Sequence, residues 1–309
     1  MRDFSYGPDQ ALLLLGRLDG RLASSPAADI WLARARLQGA TILARAAGVP
    51  VDVRDLQNWI TGRTPPPRHS EGLNDPLSIA ALFHFALSAG DDGRDPLNRA
   101  TLNLSRQLLD DRAEAVMWGE HDLVRFGPVW RMAGQLLEPP YPTPSLPAIA
   151  ERLLMARREL NMPASQSPLL TTADGRQWRP EPTGTDPVWL LACHMPLALQ
   201  RSGLTLRRLP CFTELPRFLP DTEAELTTLM QGMLYKRALE GLKDLDRIEA
   251  RMARAPLEMP VTRRSKAPLL LRLELAYPGL SRVAVARLLG ISHQGATKLL
   301  AQIAQWSND

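Results

Sequence analysis

Five polar side chains stand close together near the end of the chain: Ser292, His293, Gln294, Thr297 and Lys298. An amide such as Gln294 can pair with both N6 and N7 of adenine in the DNA major groove, and an ammonium such as Lys298 neutralises a phosphate. The hydroxyls of Ser292 and Thr297 and the imidazole of His293 can bond to bases or phosphates. Such a set is suited to recognition.

Recognition requires that these groups project from one rigid element. The stretch Ser281 to Ile303, SRVAVARLLGISHQGATKLLAQI, contains two candidate helices. Val283, Val285, Ala286 and Leu289 repeat at helical spacing. Gly290 is the residue type that ends a helix in the left-handed region. Ser292 can cap a second helix by accepting a free backbone N–H. Ala286 is small where the second helix must cross closely, and Ile291, Ala296, Leu299 and Leu300 give that helix an apolar side. Two short helices about a glycine turn form a helix-turn-helix, whose second helix enters the major groove. The same apolar pattern also occurs in small helical domains and in units that dock only proteins.

The charge distribution favours DNA. From Val261 onward there are seven basic residues (Arg263, Arg264, Lys266, Arg272, Arg282, Arg287 and Lys298) and two acids (Glu274 and Asp309), a net +5. The whole chain carries +4, so residues 1–260 carry −1. Arg263, Arg264, Lys266 and Arg282 are therefore expected to join the interface as phosphate contacts.

No pattern proposes catalysis. The five histidines lie at 69, 84, 121, 194 and 293, without a His-x-x-x-His pair. Adjacent Cys193 and His194 lack metal-site spacing. Neither a phosphate-binding glycine loop nor a Gly-x-Ser-x-Gly elbow occurs. Asp91, Asp92 and Asp95 read as a solvated turn. No cofactor is implied.

A chain of 309 residues holds one large domain or two to three ordinary ones. Two cysteines, Cys193 and Cys211, give no disulfide framework, and a reducing cytoplasm is the simplest setting. Leu12–Leu15 is too short for a secretory signal. Val188–Leu199 is interrupted by His194 and Pro196 and is too short to span a bilayer, so no membrane partner is expected.

The periodicity predicts a mainly α chain. Helices are expected over Gln10–Arg21, Ile30–Ala47 (capped by Asp29), Val53–Thr61, Pro76–Ala89, Leu97–Trp118, Trp130–Leu137, Ala148–Leu160 and Val188–Ser202. Thr64-Pro-Pro-Pro-Arg-His reads as a stiff loop. Residues 138–147, EPPYPTPSLP, read as a proline-rich crossover, and Asp174-Gly175 as the tip of a small hairpin. The longest helix is expected from Asp221 to about Ala255, with Thr222 and Glu225 in capping-box spacing. Its stripe of Leu226, Leu229, Met230, Met233, Leu234, Ala238, Leu242, Leu245, Ile248 and Met252 suits core packing, with a homodimer interface as the alternative use. The expected division is a helical body over 1–258, a basic linker over 259–267 and a helix-turn-helix domain over 268–309.

Four stretches carry a resemblance: Trp31–Gly48 (WLARARLQGATILARAAG), Trp189–Phe212 (WLLACHMPLALQRSGLTLRRLPCF), Thr222–Ala255 and Ser281–Ile303. Together they resemble Fic-type helical proteins with a C-terminal winged helix, closest to a rhizobial-type branch of unknown function. In that family a His-x-Phe-x-Asp/Glu-Gly-Asn-Gly-Arg signature performs nucleotidyl transfer. Here the residues before Trp189 read EPTGTDPV, and His84-Phe85 is followed by Ala-Leu-Ser-Ala. Arg36–Gly39 stands where the family has Ser-x-Ile-Glu-Gly, with Gln38 replacing the glutamate. The resemblance thus implies a large Fic-like helical bundle without that reaction, followed by a small helix-turn-helix domain. Six residues follow Ile303, so no β-wing is expected.

The expected function is transcription regulation in the bacterial cytoplasm. The terminal unit would bind double-stranded DNA, and the inactive body would support a homodimer or receive a signal. The alternative is a protein-interaction scaffold, or an antitoxin-like partner-binding protein, that binds no DNA; a nucleotide-dependent transferase without a recognised motif is a third reading.

Overall fold

A computed structural model describes residues 8–64, 76–89, 95–102, 127–160, 170–171, 177–178, 188–254 and 265–306. The chain is mainly α. In order come α1 (Pro8–Ser24), α2 (Ala28–Ala46), α3 (Val53–Ile60), α4 (Pro76–Ala89), α5 (Gly127–Leu137), α6 (Leu146–Leu160), α7 (Val188–Arg201), α8 (Glu223–Met252), α9 (Ala267–Ala276), α10 (Arg282–Leu289) and α11 (His293–Trp306). Between α6 and α7, β1 (Leu170–Thr171) pairs antiparallel with β2 (Gln177–Trp178), while the expected hairpin tip at Asp174-Gly175 lies outside the described residues. Residues 96–102 are helical, and the rest of the helix expected over Leu97–Trp118 lies outside the described residues.

Helix α2 organises the packing. It is rich in alanine and buries Ile30, Trp31, Ala33, Ala35, Leu37, Ala40, Leu43 and Ala44, so its small side chains let neighbours approach on several sides. It touches α1, α3, α4, α7, α8 and α9. At Gly39 the approach is closest: a Cβ there would lie 2.0 Å from the Pro210 carbonyl oxygen and 2.8 Å from Leu87 Cδ1. Asp29 does not cap this helix, because Ala27 holds the N-cap position without a side-chain bond. Asp29 sits in the first turn instead, where a carboxylate favours the helix dipole.

Helix α8 crosses α1, α6 and α2. Thr222 caps it, its side chain accepting from the Glu225 N–H. Of its apolar stripe, Leu226, Met230, Leu234, Ala238, Leu242, Leu245, Ile248 and Met252 are buried in the core, and Leu229 is exposed. Each large one contributes about 1.5–3 kcal/mol by leaving water. The stripe is thus an internal surface, not a free dimer face. At Gly241 the helix lies against Leu18 and Trp31, and Trp31 Nε1 donates to the Gly241 carbonyl at 2.9 Å.

The terminal helices are fastened to this body. Helix α9 packs on α2 and α8, and its leucines join one continuous apolar core. Tyr277 is fully buried, its hydroxyl 3.4 Å from Thr101 Oγ1. Ser281 N donates to the Thr61 carbonyl at 2.8 Å, and Arg63 Nε donates to the Gly279 carbonyl at 3.0 Å. Most of the expected linker 259–267 lies outside the described residues, and Ala267 already begins α9. Among the described residues, no helix is long and apolar enough to cross a membrane.

Candidate nucleic-acid interface

Ser281 starts α10 as its N-cap, with Oγ accepting from Ala284 N at 3.1 Å. The helix ends at Gly290, whose φ of 58° is left-handed and whose N–H returns to the last turn. This conformation suits glycine because a Cβ at positive φ strains the backbone. Two residues later Ser292 Oγ accepts from Gly295 N at 3.1 Å and starts α11. Ala284, Val285, Ala286, Leu288 and Leu289 of α10 are buried, as are Ala296 and Ile303 of α11. Helix α11 packs on both α10 and α9. The helix, glycine bend, serine cap and second helix expected from the sequence are all present.

Ser292, His293, Gln294, Thr297 and Lys298 are all exposed. Their hydrogen-bonding capacity differs. Ser292 Oγ is an acceptor in the cap, so its hydroxyl proton remains available. Thr297 Oγ1 donates to the His293 carbonyl at 3.0 Å, which leaves it acceptor capacity only. The side chains of His293, Gln294 and Lys298 take no hydrogen bond or ion pair among the described residues. Gln294, Thr297, Lys298 and exposed Ala301 follow i, i+3, i+4, i+7 spacing and share one helix face.

The cations divide into two groups. Lys266 Nζ donates to the Leu289 carbonyl, where a cation satisfies the free C-terminal end of α10. Arg272 is committed to Asp29 and to the Pro26 carbonyl, so it faces the body. Arg282, in the first turn of α10, is exposed. Arg287 is half-buried in its last turn; it belongs with the surface cations, and its place in the basic tail was the one sequence signal for it. Arg263 and Arg264 lie outside the described residues. Glu274 is the one acid within 265–306, and both its oxygens accept backbone N–H groups, from Gly279 and Leu280. That internal use turns the carboxylate toward its own backbone.

Other reactive groups are held away from water. Burial holds the His84 imidazole down to about 3, and the nearby Arg36 charge adds to the effect. His194, its ring centre 4.6 Å from that of Trp130 at a tilted angle, is pushed down to about 4, mainly by burial. Burial raises the thiol of Cys193 well above its usual range and that of Cys211 to about 12. Among the described residues no three His, Cys, Asp or Glu side chains gather as a metal site. Against known proteins, no family model matches the chain, and no curated sequence or solved structure matches it significantly.

Proposed function

We propose that the chain is a DNA-binding transcription regulator whose helix α11 reads the major groove. The observation that carries this reading is the exposed row on α11, with Gln294 and Lys298 unengaged, above the left-handed Gly290 bend. Gln294 is the base reader, Lys298 and Arg282 contact phosphate, and the Ser292 hydroxyl donates to a phosphate at the start of the helix. The body, resembling an inactive Fic-type bundle, fixes the orientation of that helix. With the α8 stripe used internally, a homodimer on a palindromic site would form through another surface.

Gel-shift titration of the full chain against a randomised duplex library, repeated across salt concentrations, tests the reading. Binding should weaken with salt, and Lys298→Ala should reduce the logarithmic slope by about 1 on every sequence. Gln294→Ala should instead relax preference at one base pair, at a cost of about 1–3 kcal/mol. Absence of binding at low salt, or a salt-independent affinity, would leave the protein-interaction scaffold as the better reading.

A further inference from the structure

A cleft of about 770 Å³ opens beside the C-terminal end of α2, on a part of the molecule built by none of α9, α10 and α11. Among the described residues its walls come from the end of α2 and the turn after it with Arg45, the first turn of α7 with Trp189, residues 213–218, and α8 with Lys236 and Arg237. The volume falls within the range that holds small organic ligands.

Its charge is one-sided. Among the described residues, Arg45, Arg217, Lys236 and Arg237 line the cleft, against Glu214 as the one lining carboxylate. Arg237 is already engaged: one nitrogen lies 3.0 Å from Glu214 and another 3.0 Å from Glu240. That pairing also answers the charge of Glu214. Arg45, Arg217 and Lys236 are exposed or half-buried and form no ion pair or hydrogen bond among the described residues, so the described lining carries a net positive charge. The first turn of α7 adds the positive end of a helix dipole, and Arg45 offsets the negative end of α2.

Its shape is aromatic. Trp189 forms a half-buried wall, held edge-on by Phe83 at 5.8 Å between ring centres. Phe218 stands 71% exposed at the lining, with the Arg217 guanidinium 5.4 Å from its ring centre. A large exposed ring beside unpaired cations is an incomplete arrangement, because an apolar surface gains by being covered and a cation by meeting an anion.

We propose that this cleft binds a small aromatic organic anion, its ring against Trp189 and Phe218 and its acidic group between Arg45, Arg217 and Lys236. The two requirements are separable in one experiment on the full chain without DNA, so its outcome is independent of the DNA reading. The fluorescent sulfonate 8-anilinonaphthalene-1-sulfonate and its uncharged analogue N-phenyl-1-naphthylamine are titrated in parallel. The wild-type chain should bind the sulfonate saturably and roughly tenfold more tightly than the neutral analogue. Arg45→Ala with Lys236→Ala should abolish that preference, and Phe218→Ala should weaken both probes. None of the three side chains is buried, so the variants should keep the wild-type melting temperature, which is measured alongside. No preference for the anion in the wild type, or a preference unchanged in the double variant, overturns the proposal.

Discussion

Arg272 and Asp29 lie 243 positions apart in the chain, yet their side chains form a two-pronged ion pair, with Arg272 Nε donating to Asp29 Oδ2 at 2.7 Å. The contact holds Arg272 in its charged form, chiefly through the hydrogen bond to Asp29. It fixes α9 to the first turn of α2. Arg272→Ala should destabilise the chain by about 2 kcal/mol, because the pair is three-quarters shielded and the Pro26 carbonyl also loses a donor. A double-mutant cycle with Asp29→Ala, read by urea denaturation, should return a coupling above about 0.5 kcal/mol. Additive effects would show that the two residues act separately.

Gly290 separates backbone strain from crowding. No atom of the described residues lies within 4 Å of a Cβ placed there, so a substitution meets only the cost of its positive φ. Gly290→Ala should cost about 1 kcal/mol or more, and Gly290→Asn less, since asparagine tolerates the left-handed region. Thermal denaturation of the two variants checks the order. Equal losses would mean that φ is not the cause.

Gly39 presents the opposite case. Its own helix is regular, but a Cβ would collide with the Pro210 carbonyl, a backbone atom that cannot rotate away. Gly39→Ala should therefore cost about 3 kcal/mol or more, despite the higher helix propensity of alanine. A variant that melts within a degree or two of wild type would contradict the close approach of α2 to that segment.

His84 should make stability fall in mild acid. It is buried in α4 with neither ring nitrogen hydrogen-bonded among the described residues, and its pKa is about 3 against the ordinary 6.5. The unfolded chain thus takes up a proton below pH 6.5 that the folded chain refuses until about pH 3. Stability is fully present above 6.5 and declines as pH falls from there. His194, at about 4, acts in the same direction. Asp95 acts in the opposite sense nearer its usual value, since burial raises its pKa and folding there favours the protonated acid. Denaturation midpoints between pH 7 and 5 should decline, and His84→Leu should flatten the slope. An unchanged slope in that variant would assign the effect elsewhere.

Local features of the fold were legible because they are encoded within a few residues. Pro76–Ala89 was bounded at both ends by its apolar pattern and agrees with α4. Thr222, Gly290 and Ser292 announced a start, a stop and a start, because capping depends on one hydroxyl or one missing Cβ. Asp29 shows the limit: it has the right chemistry for a cap, but the chain enters α2 two residues earlier and an arginine from α9 meets the carboxylate.

Charges were harder to assign than helices. Arg272 and Lys266 counted toward a basic tail, yet one faces Asp29 and the other a helix-end carbonyl. Their partners are distant in sequence, so residue type alone could not distinguish a free cation from an engaged one. The aromatic cleft had no sequence signal at all. Arg45, Trp189, Phe218 and Lys236 belong to four segments that only the packing of α2, α7 and α8 brings together.

The bond from Ser281 N to the Thr61 carbonyl, with Arg63 on Gly279, ties the turn before α10 to the end of α3. A protease cut anywhere in 255–264 would therefore yield two pieces that stay assembled and elute together from a sizing column. By the same token, the piece after such a cut, expressed alone, would lose its foundation, and the two pieces would have to be mixed to restore a native fold.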